Sequence, residues 1–272
     1  MAQTDYAAKY KTLLIQVADG VATVTINRPE SRNAINADLF GELLTIWDDL
    51  SADRDIHVIL LTAAGSYFSV GGDVKAMTTR PGGDVLREGE PRDGAGTRRL
   101  LTRLLDVDKP IISAINGDAI GLAATIVLFT DITVAAETAR IADTHVSRVG
   151  LVAGDGGAVI WPLLVGVSRA KEFLLRGTLL TGSEAAEIGL VNHAVPADQV
   201  LPYAQEIARE LASGPTWAIR WTKASVNLLL KERLNAVLPA SAALEMVSSQ
   251  LDDHHEAARA FAEKRKPNFT GR

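Results

Sequence analysis

Apolar and polar positions along the chain repeat at two periods. Residues 13–17 and 21–26 alternate or are β-branched, and Ala18-Asp19-Gly20 separates them, a pattern that predicts a hairpin ending at Arg28-Pro29. Asn36 then precedes Leu39, Leu43, Ile46, Trp47 and Leu50 on one helical stripe, with the asparagine as N-cap. Residues 57–63 (HVILLTA), 111–115 (IISAI) and 131–136 (DITVAA) are short apolar runs, as expected of strands covered on both faces. Helical segments lie between them. Strand and helix alternate through the first two thirds, which argues for an α/β core with a parallel sheet.

Two stretches depart from this rhythm. Residues 77–97, MTTRPGGDVLREGEPRDGAGT, are rich in glycine, proline and charge, and read as a lid over a site or as a segment without fixed structure. From Pro196 onward helical periodicity runs almost without strands. The apolar content there exceeds what one amphipathic face needs, so subunit contact is expected.

Composition narrows the picture. The 272 residues are 47% hydrophobic with a formal charge of −5, enough for one large domain or one domain with an appendage. The mildly acidic balance offers no field for nucleic acid. The absence of cysteine removes disulfides, cysteine-based zinc sites and thiol nucleophiles. The N-terminal residues show no secretory pattern, and the longest apolar run, residues 121–129, is too short to span a bilayer. A soluble cytoplasmic protein is the expectation.

Candidate chemistry lies in two glycine turns. SYFSVGGDVKAM (residues 66–77) follows the apolar run at 57–63, and AINGDAIGLAAT (residues 114–125) follows the one at 111–115. Gly71-Gly72 permits positive φ and close backbone approach. The first N–H groups of a helix have no internal partner and carry positive partial charge. Two such turns at one end of one sheet would aim two amides at one point, which is an oxyanion hole.

Together INRPESRNAI, SYFSVGGDVKAM, KPIISAINGDAIGLAATIVLFTDITVAA, VGLVAGDGGAVIWPLLVG and FAEKRKPNF resemble the enoyl-CoA hydratase/isomerase (crotonase) family, in order and over nearly the whole chain. The resemblance implies an α/β spiral of β-β-α units, with residues 1–195 as core and acyl-CoA site. Residues 196–272 would form a helical region for trimerisation and CoA contact, often in a dimer of trimers. It implies an acyl-CoA thioester substrate from lipid metabolism, with no metal and no cofactor beyond that CoA. The thioester oxygen would lie between the amides of Val70 and Leu122, in turns formed by Gly71, Gly72, Asp73 and Gly121. One such donor lowers a barrier by roughly 3–4 kcal/mol. Arg32 and Ala34 would run beside CoA, and Phe261 and Lys264 would touch it, across a subunit boundary in some arrangements.

The resemblance breaks at the acid and base. Hydratases of the family carry two glutamates. At the first position, four residues after Gly121, stands Thr125. The second, counted four back from Gly150, falls on Val146 with His145 beside it, in a segment one residue longer than the usual pattern. Two ionisable candidates remain, Asp155 in VAGDGGA and His145, and such a pair can serve as acid and base. The expected function is therefore enolate chemistry on an acyl-CoA, with isomerase-like proton transfer favoured. The alternatives are an atypical hydratase, a carbon–carbon bond hydrolase and an acyl-CoA binder without turnover. DDHHE (residues 252–256) reads as a solvated helix face.

Overall fold

The computed structural model describes residues 5–73 and 95–272. The segment expected as a lid falls outside the described residues up to position 94; its last three residues open helix Ala95–Asp106. A six-stranded sheet has the order β1-β2-β3-β5-β7-β10. Its strands are β1 (Leu13–Ala18), β2 (Val21–Ile26), β3 (Val58–Ala63), β5 (Ile111–Ile115), β7 (Ile132–Ala136) and β10 (His193–Val195). Only β1 and β2 pair antiparallel. Their two-residue turn, Asp19-Gly20, has φ of 50° and 77°, the positive values that match strand twist.

The apolar runs are buried on both faces, as their composition predicts. Residues 58–63 are all buried. Alternate residues go to opposite sides: Ile59 and Leu61 join the main core, while Val58 and Leu60 meet Val200, Ala204 and Ala208 of helix Val200–Ser213. Helix Ala37–Ala52 starts where expected, with Asn36 Oδ1 accepting from Leu39 N at 3.0 Å. Its stripe of Leu39, Leu43, Ile46, Trp47 and Leu50 is fully buried, each aliphatic member contributing about 1.5–3 kcal/mol. Buried Lys109 closes the other end by donating to the carbonyls of Leu50 and Asp53.

A second sheet, order β4-β6-β8-β9, decides where the site falls. Its strands are short: β4 (Tyr67–Ser69), β6 (Asp118–Ile120), β8 (Arg140–Ala142) and β9 (Leu180–Thr181). β4, β6 and β8 run parallel, with Ser69 opposite Ala119 and Ile120 opposite Ala142. They therefore end side by side. Periodicity does not reveal strands of three residues; β4 and β6 lead into the glycine turns and β8 into residues 143–145. The result is a mixed α/β spiral with parallel sheets and C-terminal helices.

Helices Thr216–Ser248 and Asp252–Ala262 complete the chain. Lys223 anchors the long helix to the sheet: its Nζ lies 2.7 Å from Asp131 Oδ2 and donates to the Lys109 carbonyl. The segment 252–256 differs from the solvated face its charges suggested. His254 is 1% exposed, because the helix packs its His254, Ala257 and Ala260 inward.

Candidate active site

The three parallel ends of β4, β6 and β8 deliver residues 70–72, 121–122 and 143–145 to one edge. Gly71, at φ 83°, backs onto the second turn: a Cβ there would sit 2.5 Å from the Ile120 carbonyl oxygen and 3.6 Å from the Leu122 nitrogen. Only glycine permits both the conformation and the approach. The two turns singled out in the sequence are thus in contact.

Their amides are not equivalent. Leu122 is the first residue of helix Leu122–Leu128, and among the described residues its N–H has no acceptor. Val70 N–H points at the Arg32 carbonyl at 3.3 Å, long for a backbone bond, whereas an uncommitted amide was expected. The cause is the 28–35 loop, which is locked against β4. Asn33 Nδ2 donates to the carbonyls of Ala64 and Tyr67, both at 2.8 Å, and Ser69 Oγ donates to the Asn33 carbonyl at 2.7 Å. Asn33 and Ser69 play no part in the sequence reading, since nothing in their spacing distinguishes them from ordinary polar residues.

The acid–base candidates meet at this edge. After β8 the chain enters a π turn, His145–Val149. His145 is the first residue of that turn. Its ring lies against Gly121: Cε1 is 3.4 Å and Nε2 3.9 Å from where a Cβ would stand. The imidazole is therefore one residue from the free Leu122 amide.

Two carboxylates flank the ring. Asp143 Oδ1 accepts from His145 Nδ1 at 2.8 Å and from its backbone N–H at 3.1 Å. Nε2 faces Asp155 Oδ2 at 3.5 Å. Side-chain exposure falls from 13% for His145 to 7% for Asp155 and none for Asp143, so the histidine is the member nearest to an incoming ligand. Asp143 escapes the sequence reading, although an acid two positions before a histidine at a strand end projects to the same face. Asp155 Oδ1 accepts from Thr125 Oγ1 at 3.2 Å. Thr125, at the position of the family's first glutamate, is fully buried and donates to Asp155.

Burial would lower the His145 pKa, but the carboxylates of Asp155 and Asp143 outweigh it and hold it well above 6.5. Asp155 is raised as well. Burial is the main cause, opposed by His145 and reinforced by Asp143. A proton is therefore retained within the His145–Asp155 pair around neutrality. One donor atom each from Asp143, His145 and Asp155 lies within 4.8 Å of the others. Both ring nitrogens of His145 are turned to carboxylates, which suits a proton-handling cluster better than a cation site.

The remaining expected residues are spread more widely. Ala34 is buried within the 28–35 loop, and Arg32 places its guanidinium over the Tyr67 ring at 5.2 Å. Gly72 pairs with Ile35, and Asp73 N–H donates to the Ile35 carbonyl. Phe261 is 53% exposed and Lys264 is exposed, both just beyond or at the end of the last helix.

Comparison with known proteins gives one result. A family model described as enoyl-CoA hydratase/isomerase matches residues 16–272. The chain is 32% identical over 264 residues to 1,2-epoxyphenylacetyl-CoA isomerase of Escherichia coli, covering 96% of this chain and 98% of that one. Among solved structures it is similar to an enoyl-CoA hydratase/isomerase from Mycobacterium paratuberculosis, with TM-score 0.85, 31% identity, and 92% and 98% of the two chains covered. It is also similar to a β-diketone hydrolase from the cyanobacterium Anabaena bound to (S)-3-oxocyclohexyl acetic acid, with TM-score 0.81, 30% identity and the same coverage.

Proposed function

The chain belongs to the enoyl-CoA hydratase/isomerase family, and from that premise we propose that it processes an acyl-CoA thioester through an enolate, with His145 and Asp155 as acid and base. The observation that carries the reading is the His145 imidazole, set between Asp143 and Asp155 and against Gly121, beside the free Leu122 amide. The Leu122 N–H would polarise the thioester oxygen, and Val70 would add its own by giving up its long bond to Arg32. The pair would take a proton from the α-carbon and return it further along the acyl chain, moving the double bond. One proton-handling pair suffices for that, and no glutamate is required. No metal takes part, and no cofactor beyond the CoA of the substrate is needed.

A second reading is hydrolysis of a carbon–carbon bond, favoured by the similarity to the β-diketone hydrolase. There the pair would deprotonate a water that adds to a ketone β to the thioester. The bond between the α- and β-carbons would break, its electron pair would pass to the α-carbon as enolate, and a proton would quench it.

The test is to mix the protein with crotonyl-CoA, a 3-enoyl-CoA and a 3-oxoacyl-CoA and follow thioester absorbance and products. Double-bond migration lost in Asp155→Asn with binding retained supports the first reading, and cleavage of the 3-oxo compound supports the second. Saturable binding without turnover marks a binder. Turnover surviving both Asp155→Asn and His145→Ala overturns the assignment.

The same premise leads us to propose a homotrimer or dimer of trimers. Helix Thr216–Ser248 turns Trp217, Trp221, Leu228, Leu229, Leu244 and Val247 to solvent, each more than half exposed. Trp217, Trp221 and Leu228 share one side of the helix, with Leu229, Leu244 and Val247 a third to half a turn round from it, and exposed apolar surface of this extent signals a partner. Among the described residues no helix is long and apolar enough to cross a membrane. Sedimentation of Leu229→Glu should show a smaller species than the parent; equal sedimentation would count against the interface.

A further inference from the structure

The π turn that carries His145 is held from outside by the last helix. His254, 1% exposed, lies with Nδ1 2.8 Å from the carbonyl of Val149, the final residue of that turn. A carbonyl only accepts, so Nδ1 carries the proton and donates it. The turn ends at Gly150, with φ 65°. A Cβ at Gly150 would sit 3.1 Å from the Asp253 carbonyl and 3.2 Å from the His254 nitrogen. The chain thus passes directly under the backbone of residues 253–254. Within the turn, the His145 carbonyl accepts from Gly150 N–H and from Leu151 N–H at 3.0 Å. Five residues fill this turn, and wide turns of this kind persist only as single turns supported by their surroundings. The Ser147 side chain is accommodated because Gly177 has none: a Cβ there would overlap Ser147 Oγ. The Val149 carbonyl is the point where the last helix grips the other end.

We propose that His254 is a positioning residue for His145: its Nδ1–H fixes the end of the π turn and so keeps the His145 imidazole between Asp143 and Asp155. The catalytic consequence rests on the acid–base reading of His145; the positional one does not. The groups facing His145 are Asp143 after β8, Asp155 in the following loop and, more distantly, Glu245 of helix Thr216–Ser248. His254 meets the Val149 carbonyl and has His255 as a neighbour. Its burial, countered by the bond to Val149 and assisted by His255, keeps it below the usual histidine range, so it is a neutral donor at pH 7.

The experiment uses the full chain with its five histidines labelled at 13Cε1, the His145 signal being assigned with His145→Gln. His254→Asn keeps a donor at the Nδ1 position; His254→Leu removes it. In the parent and His254→Asn the His145 titration midpoint should agree. In His254→Leu it should fall toward the ordinary 6.5 by about one pH unit, since the ring is no longer held at its carboxylates. Should His254→Leu fail to fold, His254→Gln, whose amide reaches the Nε2 position instead, makes the same comparison. On an active substrate, kcat should drop about tenfold with KM unchanged, and the acid limb of the pH profile should move with the midpoint. An unmoved midpoint in the donor-less variant overturns the proposal whatever the turnover. A moved midpoint together with full turnover in His145→Ala upholds it and overturns the acid–base reading instead.

Discussion

Replacing Leu122 by proline removes the amide donor beside His145 together with a buried leucine side chain. Leu122 is the first residue of its helix, where a missing N–H costs no internal bond and the fixed φ of proline suits the backbone. The residue before a proline is normally confined to extended geometry. Gly121, at φ 58° and ψ −126°, has the mirror image of that geometry, and without a Cβ it meets the same small penalty. The perturbation therefore falls on the free donor beside His145. Loss of one oxyanion donor costs about 2.7–4 kcal/mol of transition-state stabilisation, a fall of about 10²–10³ in kcat. The side chain is 6% exposed, so its loss is controlled with Leu122→Ala, which keeps the N–H and costs about 2–5 kcal/mol of stability instead. Steady-state turnover of whichever acyl-CoA the parent accepts, with thermal melts of each variant, separates the two effects. If the proline variant melts like the alanine variant and keeps kcat within about threefold of it, the Leu122 amide is not a donor to the substrate and the enolate mechanism loses its main support.

Three further outcomes follow from the same geometry. Asp143→Asn weakens a charged hydrogen bond to Nδ1 into a neutral one, so the His145 midpoint should fall by about one unit and kcat by about tenfold with little change in KM; an unmoved NMR titration would count against Asp143 as the orienting group. His145 and Asp155 are both shifted upward, so each binds its proton more tightly folded than unfolded. The His145 contribution is complete below 6.5 and is lost as pH rises through its raised folded value, and that of Asp155 is lost likewise from 3.8 upward. The melting-temperature advantage of the parent over His145→Gln should therefore shrink as buffers move from pH 6 to pH 9; a constant gap would refute the upward shift of His145. Lys223→Met leaves the part-buried Asp131 carboxylate with only the Ile111 N–H at 2.6 Å among the described residues, and should cost about 1–3 kcal/mol in urea unfolding; Asp131→Asn added to it should recover part of that loss.

How much of this protein could be read from its residues depends on whether the cause was local. The hairpin, the Asn36 cap, the stripe of helix Ala37–Ala52 and the doubly covered strands all follow from patterns within a few residues. Burial imposes period 2 on a sheet and 3.6 on a helix, and the order of apolar side chains carries that information. The glycine turns at 71 and 121 were legible for a similar reason, since their positive φ disfavours other residues. His145 and Asp155, like Arg32, Ala34, Phe261 and Lys264, could be singled out only through a family resemblance.

The structure decided what depends on distant segments meeting. Three strands of three residues, too short to show a period, bring the 70–72, 121–122 and 143–145 turns to one edge. Counting back from Gly150 left Val146 and His145 both open, and only packing set the His145 ring between Asp143 and Asp155. Asp143, Asn33 and His254 gain their roles from partners up to 105 positions away, as with His254 and Val149. The same side chains in another packing would be a surface acid, a loop amide and a solvated histidine. Sequence fixes which groups a chain possesses and which backbone shapes its glycines allow. Distance between groups, and with it protonation and the reach of a hydrogen bond, exists only once the elements have packed.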